Sequence, residues 1–547
     1  MKAHSILKKI FIIVFSLICM LQIKTFAFYT EDVIKEVEYT NEYKQWLSLS
    51  EEEKQSVLMP RMYSVSVYDN AKYYTRNSML KTSLISSKLM ISNYDDYDLR
   101  DDIKITVRNQ GETGQCWALS TNSVIESNIE KTTGQVSPLF SARYVEYATA
   151  KTFLDGTNSK SYNREAGHGG FPEIVLGLYT SGKGPVLEDD LPFENNEDKI
   201  SLASIQNKTV QKQIKDYVRF DGIYKTYASG VVTYEDAAGN EYTNEEVNAI
   251  RNEIKEHILK YGAVASQTYG VGGVSGAARV YYNNTVQVTK STAYFCNNAN
   301  AMADHQVTII GWDDNYDITN FNEKNRPSTP GAYIVLNSWG EEFGENGAYY
   351  ISYEDALIER GILGVVSTTD IEYDNIYQYD ELGNNYVVAG ASEMYGANVF
   401  KRENSTKKEV LTEVSVSSLI DTKCDIYVNS TDGELSEGKL KKVASNVEIK
   451  NGYHTIKLAN PVELTGNEFV VAVKYIADEM GYSYIGLEYP DSTVWATATA
   501  SEGQSYLSTD LNNWDDLIEL PSTTIIPKQS NLCIKAFTKY EEQTKFF

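Results

Sequence analysis

Gln110-Gly111-Glu112-Thr113-Gly114-Gln115-Cys116-Trp117-Ala118 is the most specific run in this chain. Cys116 stands directly before Trp117–Glu130, a stretch with Leu119, Ile125 and Ile129 on helical spacing and Gly134 beyond its end. The spacing puts the Cys116 thiol at a helix N-terminus, where the positive end of the dipole stabilises thiolate. A neighbouring imidazolium would lower its pKa further, so a reactive ion pair near neutral pH is expected. Gly111 and Gly114 let the backbone turn tightly ahead of the helix. The Cys116 amide and the Gln110 side chain are expected to face a developing oxyanion. A buried core cysteine is the plainer reading of any lone Cys, so the choice rests on its partners.

Histidines limit that choice, because the chain has five. His4 lies in the apolar leader, His257 on the polar side of a helix marked by Ile250, Ile254 and Ile258, and His454 in the β-rich C-terminal part. His305 opens the β-branched run Gln306–Trp312, and His168, in Gly167-His168-Gly169-Gly170-Phe171-Pro172, is its only rival. A base needs a partner that fixes its tautomer, and Val335-Leu336-Asn337-Ser338-Trp339-Gly340 offers Asn337. Cys116, His305 and Asn337 thus form the expected catalytic set, with Gln110 as oxyanion donor.

Glutamine, five residues, then Cys-Trp-Ala resembles the active-site segment of the papain family, as Asn337-Ser338-Trp339-Gly340 resembles its Asn-Ser-Trp-Gly segment. Thr113 and Gly167 stand where that family carries two paired cysteines, so both partners are absent together. The resemblance implies that Gly169 and Gly170 pair with extended substrate. It sets Phe171, Pro172 and Ala303 near an apolar pocket for the side chain two residues before the cut, with Trp339 shielding the His–Asn bond. An ordinary tight turn is the plainer reading of the two glycines. His305 follows Cys116 by 189 residues, longer than the typical ~130–150, and an insertion near 196–250 is expected to enlarge a loop or lid.

The ends of the chain carry other signals. A basic start, an apolar run from Ile10 to about Ile23 and Thr25-Phe26-Ala27 read as a secretory signal peptide over 1–27, a membrane anchor being the alternative. Polar residues 28–91 then fall where a pro-region would, with a helical-looking stretch at Tyr43–Leu58 ended by Pro60. Four cysteines outside the leader are too few for a disulfide-built scaffold, and Cys424 and Cys533 are either paired or merely buried. A formal charge of −25 argues against nucleic acid or an anionic membrane as partner.

Helix and strand signals alternate over 92–370, whereas 371–547 holds many short strands punctuated by turns such as Asp432-Gly433 and Asn451-Gly452. The expected architecture is an α+β, papain-like, two-lobed protease domain followed by an all-β, lectin-like sandwich. That layout resembles clostridial surface cysteine proteases, in which such a sandwich follows the protease. The resemblance implies a secreted or cell-surface endopeptidase, made as a self-processing precursor inhibited by its own propeptide. Its substrates would be extracellular proteins, surface-layer or matrix proteins among them. No cofactor is expected for catalysis. Calcium at Asp510, Asp515 and Asp516 is a possible structural addition, and a solvated turn rim is the plainer reading. A surface adhesin or carbohydrate-binding protein with an inert protease domain is the competing function.

Overall fold

The computed structural model describes residues 94–541 together with Gln45 and Ser48, leaving out 112, 151–161, 165, 168, 194–204, 206–207, 229, 271–276, 284–291, 392, 405, 478–480, 493–494, 521–525 and 527. The expected leader, the pro-region but for Gln45 and Ser48, and His168 therefore lie outside the described residues.

Helix α1 (Cys116–Thr133) ends where Gly134 takes φ +69° and returns its N–H to Glu130 O. With α2 (Ala142–Ala148) and α3 (Pro172–Thr180) it forms one lobe around Trp117, Val124, Ile125, Val145 and Val175. Strands β1 (Asp96–Asp98), β2 (Gln213–Arg219), β3 (Tyr224–Ala228), β4 (Val231–Glu235), β5 (Val264–Thr268), β6 (Ala293–Tyr294), β7 (His305–Asp313), β8 (Ala332–Leu336), β9 (Ala348–Ser352) and β10 (Leu363–Thr369) build the other. Helix α4 (Asn244–Tyr261) lies on this sheet. A reciprocal Thr243–Glu246 capping box starts it and Gly262 closes it.

Ile250, Ile254 and Ile258 face the core as their spacing predicts. His257, expected on the polar side of α4, is also buried, wedged against Gly364 of β10 and edge-on to Phe220 at 5.4 Å between ring centroids. The stretch near 196–250 is not one loop. Within it, β2 is a central strand paired with β10, and the β3–β4 hairpin and the start of α4 follow. Lys225 of that hairpin is buried in an ion pair with Glu359, 2.7 Å away, which fixes the hairpin to the core of this lobe.

The two halves of the chain share a sheet. Its order runs β6-β9-β8-β7-β5-β10-β2 and continues into Gly452–Leu464, Glu409–Ser418, Ile534–Tyr540 and Asn375–Tyr377 of the C-terminal half. Gly452, Tyr453 and His454 pair with Val218, Tyr217 and Asp216 of β2. Gly452 is required there: its φ is +146°, and a Cβ would sit 2.0 Å from Tyr217 O. Tyr217 stacks on Tyr453 at 5.8 Å, and a buried Lys215–Glu413 ion pair lies beside them. A six-stranded sheet (Met394–Lys401, Thr422–Asn429, Lys441–Ile449, Glu468–Ile476, Ser505–Ser508, Trp514–Asp516) completes the sandwich over a core of Leu411, Val414, Ile426, Phe469 and Val473.

Candidate active site

Cys116 is the first residue of α1, and no side chain caps that helix end. Its thiol is 9% exposed and takes a hydrogen bond from the backbone N–H of Gln306, the residue after His305. The site is thus assembled where α1 packs on β7, a seam locked by Ser120 Oγ donating to Val307 O at 2.8 Å. His305, 7% exposed, places Nε2 2.8 Å from Asn337 Oδ1. That oxygen also accepts the Ser338 N–H at 2.8 Å, so it is the oxygen end of the amide that faces the ring. Since an amide oxygen only accepts, Nε2 carries the proton and Nδ1 keeps a free lone pair. Trp339 stacks on the imidazole at 5.0 Å between centroids, with 25° between planes, and covers this bond. Gly270 makes room on the other side, because a Cβ there would stand 2.6 Å from His305 Cβ.

Burial sets the charge of this pair. Enclosure pushes the Cys116 thiol up to about 11, against backbone N–H groups that pull it down. The same enclosure pushes His305 down to about 4, against its bond to Asn337. Burial thus disfavours the charged form of each group and opposes the helix dipole, which favours thiolate.

Gln110 is buried nearby. Its Oε1 accepts Ser338 Oγ at 2.5 Å, and its Nε2 donates to Thr113 O at 2.6 Å. An amide nitrogen has two hydrogens, so one remains for an incoming oxyanion. Gly169 and Gly170 are buried, and a Cβ at Gly170 would meet the Trp117 indole at 2.6 Å. The glycine loop therefore lies one residue from the nucleophile. Phe171 caps α3, Pro172 is its first residue, and partly buried Ala303 stands two positions before His305.

Three features escape a reading of the sequence. Ser338 holds Gln110. Glu146 accepts the Gly167 N–H at 2.5 Å, with fully buried Gln115 beside it, where the family's disulfide is missing. Burial pushes the Glu146 carboxyl up and the Arg164 charge pulls it back. Arg164 in turn lies over the Trp117 ring at 4.9 Å. Each works through residues distant in the chain, so no local spacing reveals the contact.

Cys424 and Cys533 are unpaired, buried thiols. Among the described residues no grouping of three or more His, Cys, Asp or Glu is arranged to hold a metal. Asp510 accepts the N–H groups of Asn512 and Asn513, and Asp516 those of Gly503 and Ile518, which is how turn-rim aspartates behave.

Residues 94–366 match the model of the papain family cysteine proteases, and residues 376–538 match that of the lectin-like domain. A curated relative, cysteine proteinase 1 of Zea mays, is 24% identical over 282 residues, covering 50% of this chain and 60% of that protein. The chain spans 56 to 65% of the length of such relatives. Two solved structures share the fold across both domains. The clostridial cysteine protease Cwp84 after propeptide cleavage is 23% identical, with a TM-score of 0.66 over 82% of this chain and 99% of that one. The cysteine protease and lectin-like domains of Cwp84, a surface layer associated protein of Clostridium difficile, are 22% identical, with a TM-score of 0.66 over 93% and 98%. Papain-family proteases need no cofactor for catalysis. With Cys116 at the start of α1 and the His305–Asn337 pair on the β7 side of the seam, residues 94–366 form a papain family cysteine protease domain, and a lectin-like domain follows it.

Proposed function

We propose that this chain is a secreted endopeptidase that cleaves extracellular or cell-surface proteins at Cys116. The observation that carries the reading is the 2.8 Å His305–Asn337 bond, which turns the imidazole's lone pair away from Asn337 at the N-terminus of α1. In the first step His305 Nδ1 takes the Cys116 proton as Sγ bonds to the scissile carbonyl carbon. The carbonyl electrons move onto oxygen, facing the Cys116 N–H and the spare Gln110 Nε2 hydrogen. The carbon–nitrogen bond then breaks, and the imidazolium gives its proton to the leaving amine. Water, deprotonated by His305, hydrolyses the thioester, and the proton returns to sulfur. Gly169 and Gly170 would align the substrate backbone, and Phe171, Pro172 and Ala303 would receive an apolar side chain two residues before the cut.

Residues 1–27 serve in this reading as a secretion signal and 28–91 as an inhibitory propeptide. The protease domain then covers 92–370 and the sandwich 371–547. Surface-layer and matrix proteins are the substrate class that the layout of Cwp84, a surface layer associated protein, supports. Cys116→Ala is expected to abolish casein hydrolysis and labelling by a thiol-reactive epoxide, and N-terminal sequencing of the active form is expected to start near residue 92. Full activity in that variant overturns the nucleophile, and an active form beginning at Phe28 overturns the propeptide. The match to the lectin-like model over 376–538 favours a second role, binding of surface carbohydrate. A glycan array probed with the Cys116→Ala chain tests it, and no bound glycan removes it.

A further inference from the structure

The sandwich packs against the protease lobe beside the glycine loop, and Trp495 is one of the residues it contributes there. Trp495 stacks on Phe171 with 5.7 Å between centroids and 21° between planes, and the two side chains are 9% and 8% exposed. Trp495 holds φ at +57°, a left-handed conformation that a bulky side chain adopts only when its surroundings impose it. Those surroundings are visible. Its carbonyl accepts the Asn163 N–H at 2.6 Å, and Ala496 is bridged to both Tyr162 and Asp491. Tyr162 also donates to Leu382 O at 2.9 Å. Residues 162–164 are thus tied to the sandwich at one end, and at the other Arg164 lies over Trp117, the residue after the nucleophile. Gly170 presses on the same indole.

We infer that Trp495 is a specificity-determining positioning residue: it fixes the Phe171 ring and thereby sets the size of apolar side chain the protease accepts two residues before the cut. This rests on the proposed pocket of Phe171, Pro172 and Ala303. A ring backed by a parallel indole has no room to swing back, so the pocket is held shallow. Without the indole, Phe171 gains that room and larger side chains enter.

The test uses the full chain, matured, with two dipeptidyl amide substrates that differ only in Val or Phe two residues before the cut. Trp495→Ala is expected to raise kcat/KM for the Phe substrate relative to the Val substrate at least about fivefold. The change should appear in KM, with kcat for the Val substrate within about twofold, and Trp495→Phe should restore the wild-type ratio. Phe171→Ala is measured alongside. A ratio that moves in Phe171→Ala but not in Trp495→Ala overturns the role of Trp495 and spares the pocket. A ratio that moves in neither overturns the pocket and the inference with it. A wild type that turns over neither substrate overturns the peptidase reading and this one together. If Trp495→Ala does not fold, Trp495→Leu is measured for the same ratio and the same outcomes decide.

Discussion

Ser338 Oγ donates to Gln110 Oε1 over 2.5 Å, and this bond helps to set which end of the Gln110 amide faces the reacting carbonyl. With the oxygen anchored, the nitrogen is turned to Thr113 O and to the place of the oxyanion. Ser338→Ala removes one of the two bonds that hold the amide and leaves only Nε2–Thr113 O, so the oxyanion donor is less firmly held. We expect kcat to fall about tenfold with KM little changed, since the interaction matures only in the transition state. Steady-state kinetics on a dipeptidyl amide check this, and a loss confined to KM contradicts it.

The acid limb of the pH profile should report His305. Burial holds its pKa down to about 4, so the imidazole stays neutral, able to accept the thiol proton, until the pH falls that far. We expect kcat/KM to be level from neutral pH down to about 5 and to drop through about 4. A limb centred near 6.5 would show an imidazole open to water.

Stability should follow His257, held down to about 3 by burial against Gly364. The unfolded chain binds a proton as pH falls through 6.5, while the folded chain does not until about 3. Between these values the unfolded state binds more protons, so stability is full above 6.5 and is lost on acidification. The loss from His257 alone is on the order of 4 kcal/mol by pH 3. Urea midpoints of the full chain from pH 7 to pH 4 should fall, less steeply in His257→Asn. Equal slopes contradict the assignment.

Gly170→Ala should damage the cleft without any backbone strain, because the new Cβ would meet the Trp117 ring at 2.6 Å. We expect a loss of about 1–3 kcal/mol in stability and a rise in KM as the glycine loop lifts from Trp117. Thermal melting and substrate titration measure both, and a variant with wild-type values in each shows that the loop has slack.

Legibility in the sequence followed the range of the forces. Cys116, Gln110, His305 and Asn337 stood out because the chain has few histidines and because their segments resemble those of the papain family; they fall at or beside a helix start, a strand start and a strand end. The isoleucine face of α4 was equally plain, since burial repeats every turn. His257 was misplaced because one residue off that face still packs when a glycine, Gly364, opposes it. The 196–250 stretch looked like a loop because β2 owes its place to strands hundreds of residues away. The charge state of Cys116 and His305 depends on enclosure by both lobes, which no local pattern records.

The sheet that runs through both halves of the chain has a consequence for solubility. Remove Gly452–Leu464, and one side of β2 becomes an open row of N–H and C=O groups beside the protease core, a template for pairing with other chains. We therefore expect the lectin-like half to keep the protease half soluble by covering this edge. A protease domain cut at residue 370 should self-associate in light scattering, and a charged or proline-bearing β2 should relieve it.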